Sequence, residues 1–379
     1  MLYHMPTAII FGAGTISELG GVVREKLHSF RPLLVTDRGV VEAGMTERIL
    51  ALLSPVSVFD EVEPNPRHTT VDRGGEITRN TKPDLVIGLG GGSVLDAAKA
   101  VALLATNPGR IEEYEGRERY KNAPLPVLAI PTTCGTGSEV TWVSVITHTE
   151  RKFKMSIKGP RMYPAAALVD PDLLRTLPPS LIASTGLDAL THAIEAFTAK
   201  PANFISDTLA LEAIRLIFRF LPRAYQDIRG DGEAREAQMR ASLLAGMAFG
   251  NSDVGAVHCL AESIGSLYDT PHGMANAIFL PHVMEFNLPA AREKYAVVAA
   301  TVGLEVASRD DAARALIRKI KDLSCSMGVP SLNDLGIPEG GFEVIAKKSF
   351  ENNSNPSNPR KANAEDYLDI LRRASIVTR

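Results

Sequence analysis

Short aliphatic and β-branched runs recur through the first half of the chain, at Ala8 to Phe11, Leu33 to Thr36, Val56 to Phe59, Leu85 to Leu89 and Val127 to Ile130. Longer stretches of helical spacing lie between them; in Ser93 to Leu104, for example, Val94, Ala97, Ala98, Val101 and Leu104 share a face. Such alternation predicts a parallel sheet covered by helices. Val140 to Ile146 and Phe153 to Ile157 read as further strands. Near Val169-Asp170-Pro171 the period changes. Thr185 to Thr198, Ser206 to Phe220, Glu233 to Phe249, Ala290 to Val302, Asp310 to Met327 and Ala364 to Ala374 all carry helical patterns, separated by Pro, Gly and Asn segments.

The fold expected is therefore α/β plus all-α: a Rossmann-like parallel-sheet domain over residues 1–179 and an all-helical domain over residues 180–379. Leu177-Pro-Pro-Ser180 is the expected hinge, with Ser180 or Ser184 capping the first helix of the second part. A cofactor cleft between the two is the corollary. At 379 residues the chain exceeds what one core usually serves, which agrees with two domains. A net charge of -3, with the charges scattered, supplies no basic field for nucleic acid or an anionic membrane, so a small-molecule partner is expected. Three cysteines, Cys134, Cys259 and Cys325, show no paired spacing and suggest a reducing, cytoplasmic setting. The start, Met-Leu-Tyr-His-Met-Pro, does not read as a leader, and no apolar run is as long as a membrane span.

Two loops have the chemistry of a dinucleotide site. In the first, the apolar strand at Leu85 runs directly into Gly90-Gly91-Gly92-Ser93 and a helix. Glycines let backbone N–H groups approach a pyrophosphate, and the helix N-terminus adds partial positive charge. Asp96, in the first turn, either favours the helix dipole or faces the cofactor. The second loop, Pro131-Thr132-Thr133-Cys134-Gly135-Thr136-Gly137-Ser138-Glu139, follows another apolar strand and offers hydroxyl and backbone donors for ribose and phosphates. Asp37, at the end of the strand Leu33 to Thr36, is either a ribose acceptor that favours NAD over NADP or a turn residue. Lys154 is either a cofactor contact or a solvated strand lysine. Phe11-Gly-Ala-Gly14 lacks the third glycine of a dinucleotide fingerprint and is set aside.

The second half holds a different constellation. Asp188 and His192 are four apart in a helical pattern, so both leave one face, and His258 and His272 follow within Gly255-Ala-Val-His258 and Pro271-His272-Gly273. One carboxylate with three imidazoles suits Fe²⁺ or Zn²⁺ better than Ca²⁺ or Mg²⁺, and the lack of thiolates argues against a structural zinc.

These motifs together resemble the iron-dependent, group III alcohol dehydrogenases. The matching segments are Gly90-Gly-Gly-Ser93-x-x-Asp96, Pro131-Thr-Thr-x-Gly-Thr-Gly-Ser-Glu139, Gly186-x-Asp188-Ala-Leu-Thr-His192-Ala-Ile-Glu195, His258, and Pro271-His272-Gly273-x-Ala275-Asn276-Ala277. The resemblance spans the chain. It implies metal ligation by Asp188, His192, His258 and His272, with Fe²⁺ expected and Zn²⁺ compatible. It also implies binding of NAD, with NADP as the alternative, by Asp37, Asn65, Gly91, Gly92, Ser93, Thr132, Thr133, Thr136 and Lys154, and hydride exchange with a small alcohol or aldehyde in a homodimer or multiple of dimers. Many members carry a second histidine four residues after the one at His258, where this chain has Glu262. Glu262 is then a proton relay, a substrate selector or an acceptor that orients a ligand histidine, the last two being preferred. Trp142, Phe249 and Tyr268 are the aromatic residues expected beside the substrate. The competing readings are a dehydroquinate synthase-like lyase using the same NAD and metal, and a non-catalytic NAD-binding protein; Asp188 and His192 favour the dehydrogenase branch over the lyase.

Overall fold

The apolar runs of the first half become strands of one parallel sheet in a computed structural model of the chain, which describes residues 2–53 and 55–376. The strands are β1 (Ala8–Phe11), β2 (Pro32–Val35), β3 (Ser57–Phe59), β4 (Leu85–Gly90), β5 (Gly116–Arg117), β6 (Val127–Pro131), β7 (Val143–His148), β8 (Phe153–Lys158) and β9 (Ala166–Val169). Six of them form a sheet of order β1-β9-β6-β4-β2-β3, every pairing parallel. The other three form a small sheet, β5-β8-β7. Helices α1 (Leu19–Gly21), α2 (Arg38–Glu42), α3 (Met45–Leu52), α4 (His68–Thr81) and α5 (Gly92–Leu104) connect the strands.

Side chains alternate across a strand, so each buried strand feeds two cores. Leu33, Val35 and Val86 pack with Val94, Ala98 and Val101 of α5 on one face, while Leu34, Ile87 and Leu89 pack with Leu19, Val22 and Ile49 on the other. Neighbours β2 and β4 flank the point where the strand order reverses. The carboxyl ends at such a point are where open α/β sheets hold ligands.

Two details differ from the pattern. Ser138–Val140 is a 3-10 turn, and β7 starts only at Val143. The buried Lys99 ammonium bonds to the carbonyls of Ser138 and Val143, which turns the segment around it instead of extending it. Strand β9, Ala-Ala-Leu-Val, lies buried between β1 and β6, although its alanines carry little strand propensity; the parallel ladder on both sides decides it.

The chain divides into two compact units, one of His4–Thr176 and one that begins at Leu177 and also takes in Leu2 and Tyr3. The second is helical: α6 (Pro179–Thr198), α7 (Phe204–Asp227), α8 (Gly232–Phe249), α9 (Ala256–Tyr268), α10 (His272–Thr301), α11 (Arg309–Ser326), α12 (Phe342–Glu351) and α13 (Ala364–Ser375). The α/β plus all-α expectation holds. Neither serine caps α6: the cap position is Pro178, without a side-chain bond, and Pro179 opens the helix, where a missing N–H costs nothing. Helix α10 is the larger departure. It runs 30 residues through Pro281 and Pro289, whereas the prolines suggested a start near Ala290. Packing against α6, α9, α11 and α13 holds it together across both breaks.

Gly92 gives the fold its first test. A Cβ there would lie 2.4 Å from Thr136 Cγ2, so the β4–α5 turn and the 132–136 loop touch only because position 92 is glycine. Gly92→Val is expected to cost about 1–3 kcal/mol by overpacking. Thermal unfolding checks this; an unchanged melting temperature would show that the loops are not held in this contact.

Candidate metal and cofactor sites

Helix α6 is buried nearly all round, and Asp188, His192 and Glu195 stand on it at i, i+4 and i+7, which is one face. Helix α9 brings His258 to that face and the start of α10 brings His272. Gly273 makes the second approach possible: a Cβ there would sit 2.5 Å from the carbonyl oxygen of Ser184, one turn before Asp188. Ligand atoms of Asp188, His192, His258 and His272 all lie within 4.8 Å of one another. His258 Nε2 is 2.9 Å from His192 Nε2, and His272 Nε2 is 3.9 Å from Asp188 Oδ1.

The protonation pattern follows from Glu195. Its Oε2 lies 2.5 Å from His258 Nδ1, and its Oε1 accepts from the Val257 N–H at 2.8 Å. His258 therefore donates from Nδ1 and turns its Nε2 lone pair towards His192. The 2.9 Å between the two Nε2 atoms is hydrogen-bond distance, and a divalent cation bound here would take both lone pairs. The Asn276 amide sits among the same atoms, donating to Asp188 Oδ1 at 2.6 Å and lying 3.2 Å from Nε2 of both His258 and His272. Three nitrogens and one oxygen without thiolate fit a borderline divalent cation. Burial works against a charged His258, but the hydrogen bond and charge of Glu195, joined by Asp188 and Glu262, hold its pKa above the ordinary imidazole value. The ring of Phe249 stacks on His192 with centroids 4.3 Å apart and so shields that ligand's face.

Glu262 lies one turn beyond His258 on α9, half-buried, and its Oε2 accepts from the Asn352 amide at 2.6 Å. The acceptor that orients His258 is Glu195, so that one of Glu262's expected roles is already filled for this histidine. Glu195 and Asn276 had no role in the sequence reading, although the spacings 188-192-195 and 272-276 both put them on a ligand's own face. Tyr268 is partly exposed, with its hydroxyl against Gly341, and Trp142 has the Arg117 guanidinium 4.9 Å above its ring.

The residues expected to bind a dinucleotide lie in the first unit. Gly91 is the N-cap of α5, and Gly92 and Ser93 are its first residues. Parallel pairing of Gly90 with Pro131 puts Thr132 beside this turn, and its N–H donates to the Gly90 carbonyl at 3.0 Å. Thr133 and Thr136 pack on Gly91 and Gly92. Asp37 lies two residues past β2 and caps α2, its carboxylate accepting from the Val40 N–H at 2.9 Å; burial raises its pKa against the backbone bonds of Val40 and Gly39. Lys154 donates to Asn65 Oδ1 at 2.5 Å, with Asn65 in the left-handed region that asparagine tolerates. Asp96 is engaged by the protein: its carboxylate accepts from Ser138 Oγ at 2.5 Å and the Val145 N–H at 2.9 Å, and Lys99 Nζ lies at 3.1 Å. This makes it a brace between α5, the second loop and β7. Lys99 and Glu139 are buried titratable side chains to which the sequence alone assigns no role. Desolvation pushes the Glu139 carboxyl up to about 7, against the pull of Lys99.

Among the described residues no helix is long and apolar enough to cross a membrane. Residues 6–171 match the model of the family "Iron-containing alcohol dehydrogenase", and residues 182–375 match "Fe-containing alcohol dehydrogenase family, C-terminal". The chain is 41% identical to the 1,3-propanediol dehydrogenase of Klebsiella pneumoniae over 381 residues, covering 98% of each chain. It is 36% identical to the NAD-dependent methanol dehydrogenase of Bacillus methanolicus, over 98% of this chain and 99% of that one. Its structure resembles a crystal structure of a 1,3-propanediol oxidoreductase at a TM-score of 0.95 and 41% identity, covering 98% of this chain and 99% of the other.

Removing the carboxylate that orients His258 gives the site its test. Glu195→Ala is expected to weaken metal binding by roughly 10–100-fold, read by competition with a chromophoric chelator. Unchanged affinity would mean that Glu195 does not position a ligand.

Proposed function

This chain belongs to the iron-containing alcohol dehydrogenase family and is an NAD-dependent, metal-containing oxidoreductase of alcohols and aldehydes, and from that premise we propose how its residues divide the work. Asp188, His192, His258 and His272 hold one divalent cation, Fe²⁺ by family and Zn²⁺ equally by donor type. What supports this is the convergence of their four donor atoms within 4.8 Å. When bound, the cation supplies Lewis acidity towards the substrate oxygen and the nicotinamide gives or takes hydride. Glu195 keeps His258 in the ligating tautomer, Asn276 steadies the Asp188 carboxylate, and Phe249 keeps water from one face of His192. Gly91, Gly92 and Ser93 offer α5's first N–H groups to the pyrophosphate, with Thr132, Thr133 and Thr136 beside them. Asn65 and Lys154 act as a pair on the cofactor, and Asp96 acts on it only through the loops it braces.

The proposed substrate class is a short alcohol or diol and its aldehyde, in keeping with the propanediol dehydrogenase relative. A homodimer, or a multiple of dimers, in the cytoplasm completes the reading; the free thiols Cys134, Cys259 and Cys325 suit a reducing compartment. Net oxidation of NADH by short aldehydes, followed at the nicotinamide absorbance, tests it. Steady turnover is expected. Binding of NADH without net oxidation across the aldehyde series would instead favour the lyase reading, in which the cofactor is regenerated.

Two variants test the assignments. With Asp37 read as the acceptor for the adenosine ribose hydroxyls, Asp37→Gly is expected to raise kcat/KM with NADPH relative to NADH by about tenfold or more, from relief of like-charge repulsion with a 2′-phosphate. An unchanged ratio would remove Asp37 from the cofactor site. Glu262 is proposed to select against anionic aldehydes. Glu262→His is then expected to improve an anionic aldehyde relative to a neutral one by roughly fivefold, about 1 kcal/mol; an unaltered ranking would leave Glu262 without this role.

A further inference from the structure

A second group of metal-type donors lies in the first unit, remote in sequence from the four-donor set. His68 is the first residue of α4, His148 the last of β7, and Glu150 stands in the turn that joins β7 to β8. The backbone brings them together: the Thr147 N–H donates to the Pro66 carbonyl at 2.8 Å, and Arg67 bridges to Thr147. Both imidazoles are buried and stacked, with centroids 4.5 Å apart and planes 26° apart. Glu150 Oε2 lies 3.2 Å from His68 Nε2 and 3.1 Å from His148 Nδ1.

The far nitrogens are held as metal-bound histidines hold theirs. His148 Nε2 is 3.1 Å from Glu112 Oε2, and His68 Nδ1 is 3.4 Å from the Thr147 carbonyl. Donation to those acceptors turns the lone pairs of His68 Nε2 and His148 Nδ1 towards the Glu150 carboxylate. The Arg151 N–H, 3.4 Å from His148 Nδ1, agrees with a lone pair there. Three acceptors then meet at one point. Asp72, whose carboxyl is raised mainly by burial, with His68 partly offsetting this, adds negative potential.

We propose that His68 Nε2, His148 Nδ1 and a Glu150 oxygen form a second divalent-metal site of the zinc type. Its remaining position faces solvent, because Glu150 is exposed. Two imidazoles and one carboxylate on a single ion favour Zn²⁺ over Mg²⁺ or Ca²⁺. Such an ion would clip the β7–β8 turn to the start of α4, three residues after Asn65.

The test is a count of Zn²⁺ ions per chain, by competition with a chromophoric chelator, on the full-length protein and on His148→Ala and Glu150→Gln. Glu150 is on the surface, so Glu150→Gln leaves the fold intact even if His148→Ala does not. Two ions per chain are expected in the unaltered protein, with one lost in His148→Ala and one weakened at least about tenfold in Glu150→Gln. A single ion that disappears in His148→Ala would support this site while removing the four-donor one. The same ion count and affinity in all three proteins would overturn the proposal, as would a single ion that His148→Ala retains.

Discussion

The hydrogen bond between His258 and Glu195 is the contact on which the helical unit's chemistry depends. It joins α9 to α6, settles which nitrogen of His258 carries the proton, and leaves the other facing His192 at 2.9 Å. Without it, His258 could take either tautomer, and the donors would not converge. The elements around it serve that convergence. Helix α6 is buried so that Asp188, His192 and Glu195 share a rigid face, and Gly273, the second residue of α10, lets His272 reach it. Burial also makes the arrangement demanding, since the Asp188 carboxylate is removed from water beside the buried His192 and His258, and a buried charge costs free energy unless it is paired.

The first unit reaches its site by a different route. Parallel strands deliver their carboxyl ends to one edge of the sheet, and the residues that follow each strand inherit that position. Asp37 after β2, residues 91–93 after β4 and residues 132–136 after β6 are brought side by side by register. The glycines are then needed for close approach, as the Thr136 methyl against Gly92 demonstrates. Buried Lys99, with Asp96, anchors the loop after β6 from below.

Much of this was legible in the sequence because its signals are local. Apolar runs of four or five residues marked the strands, and the 188-192 spacing marked two donors on one helix. What escaped depended on tertiary context. Helix α10 crosses two prolines because its neighbours bury it on several sides, and β9 is a strand because it lies between two others. Glu195 and Asn276 were within reach of the same helical spacing that identified the ligands, but their partners lie on other helices. The meeting of His68 with His148 had no sequence signal, since their neighbours Arg67 and Thr147 are brought together by a backbone bridge between distant parts of the chain.

The most direct test of the central claim is the activity of metal-stripped protein on restoring one equivalent of Fe²⁺ or Zn²⁺ under anaerobic conditions, compared with Asp188→Ala and His258→Ala. NADH oxidation by an aldehyde should be absent without metal, return with it in the unaltered chain, and fail to return in either variant. Full turnover by the stripped protein, or metal-restored turnover that either substitution leaves undiminished, would contradict the assignment of these residues to a catalytic metal.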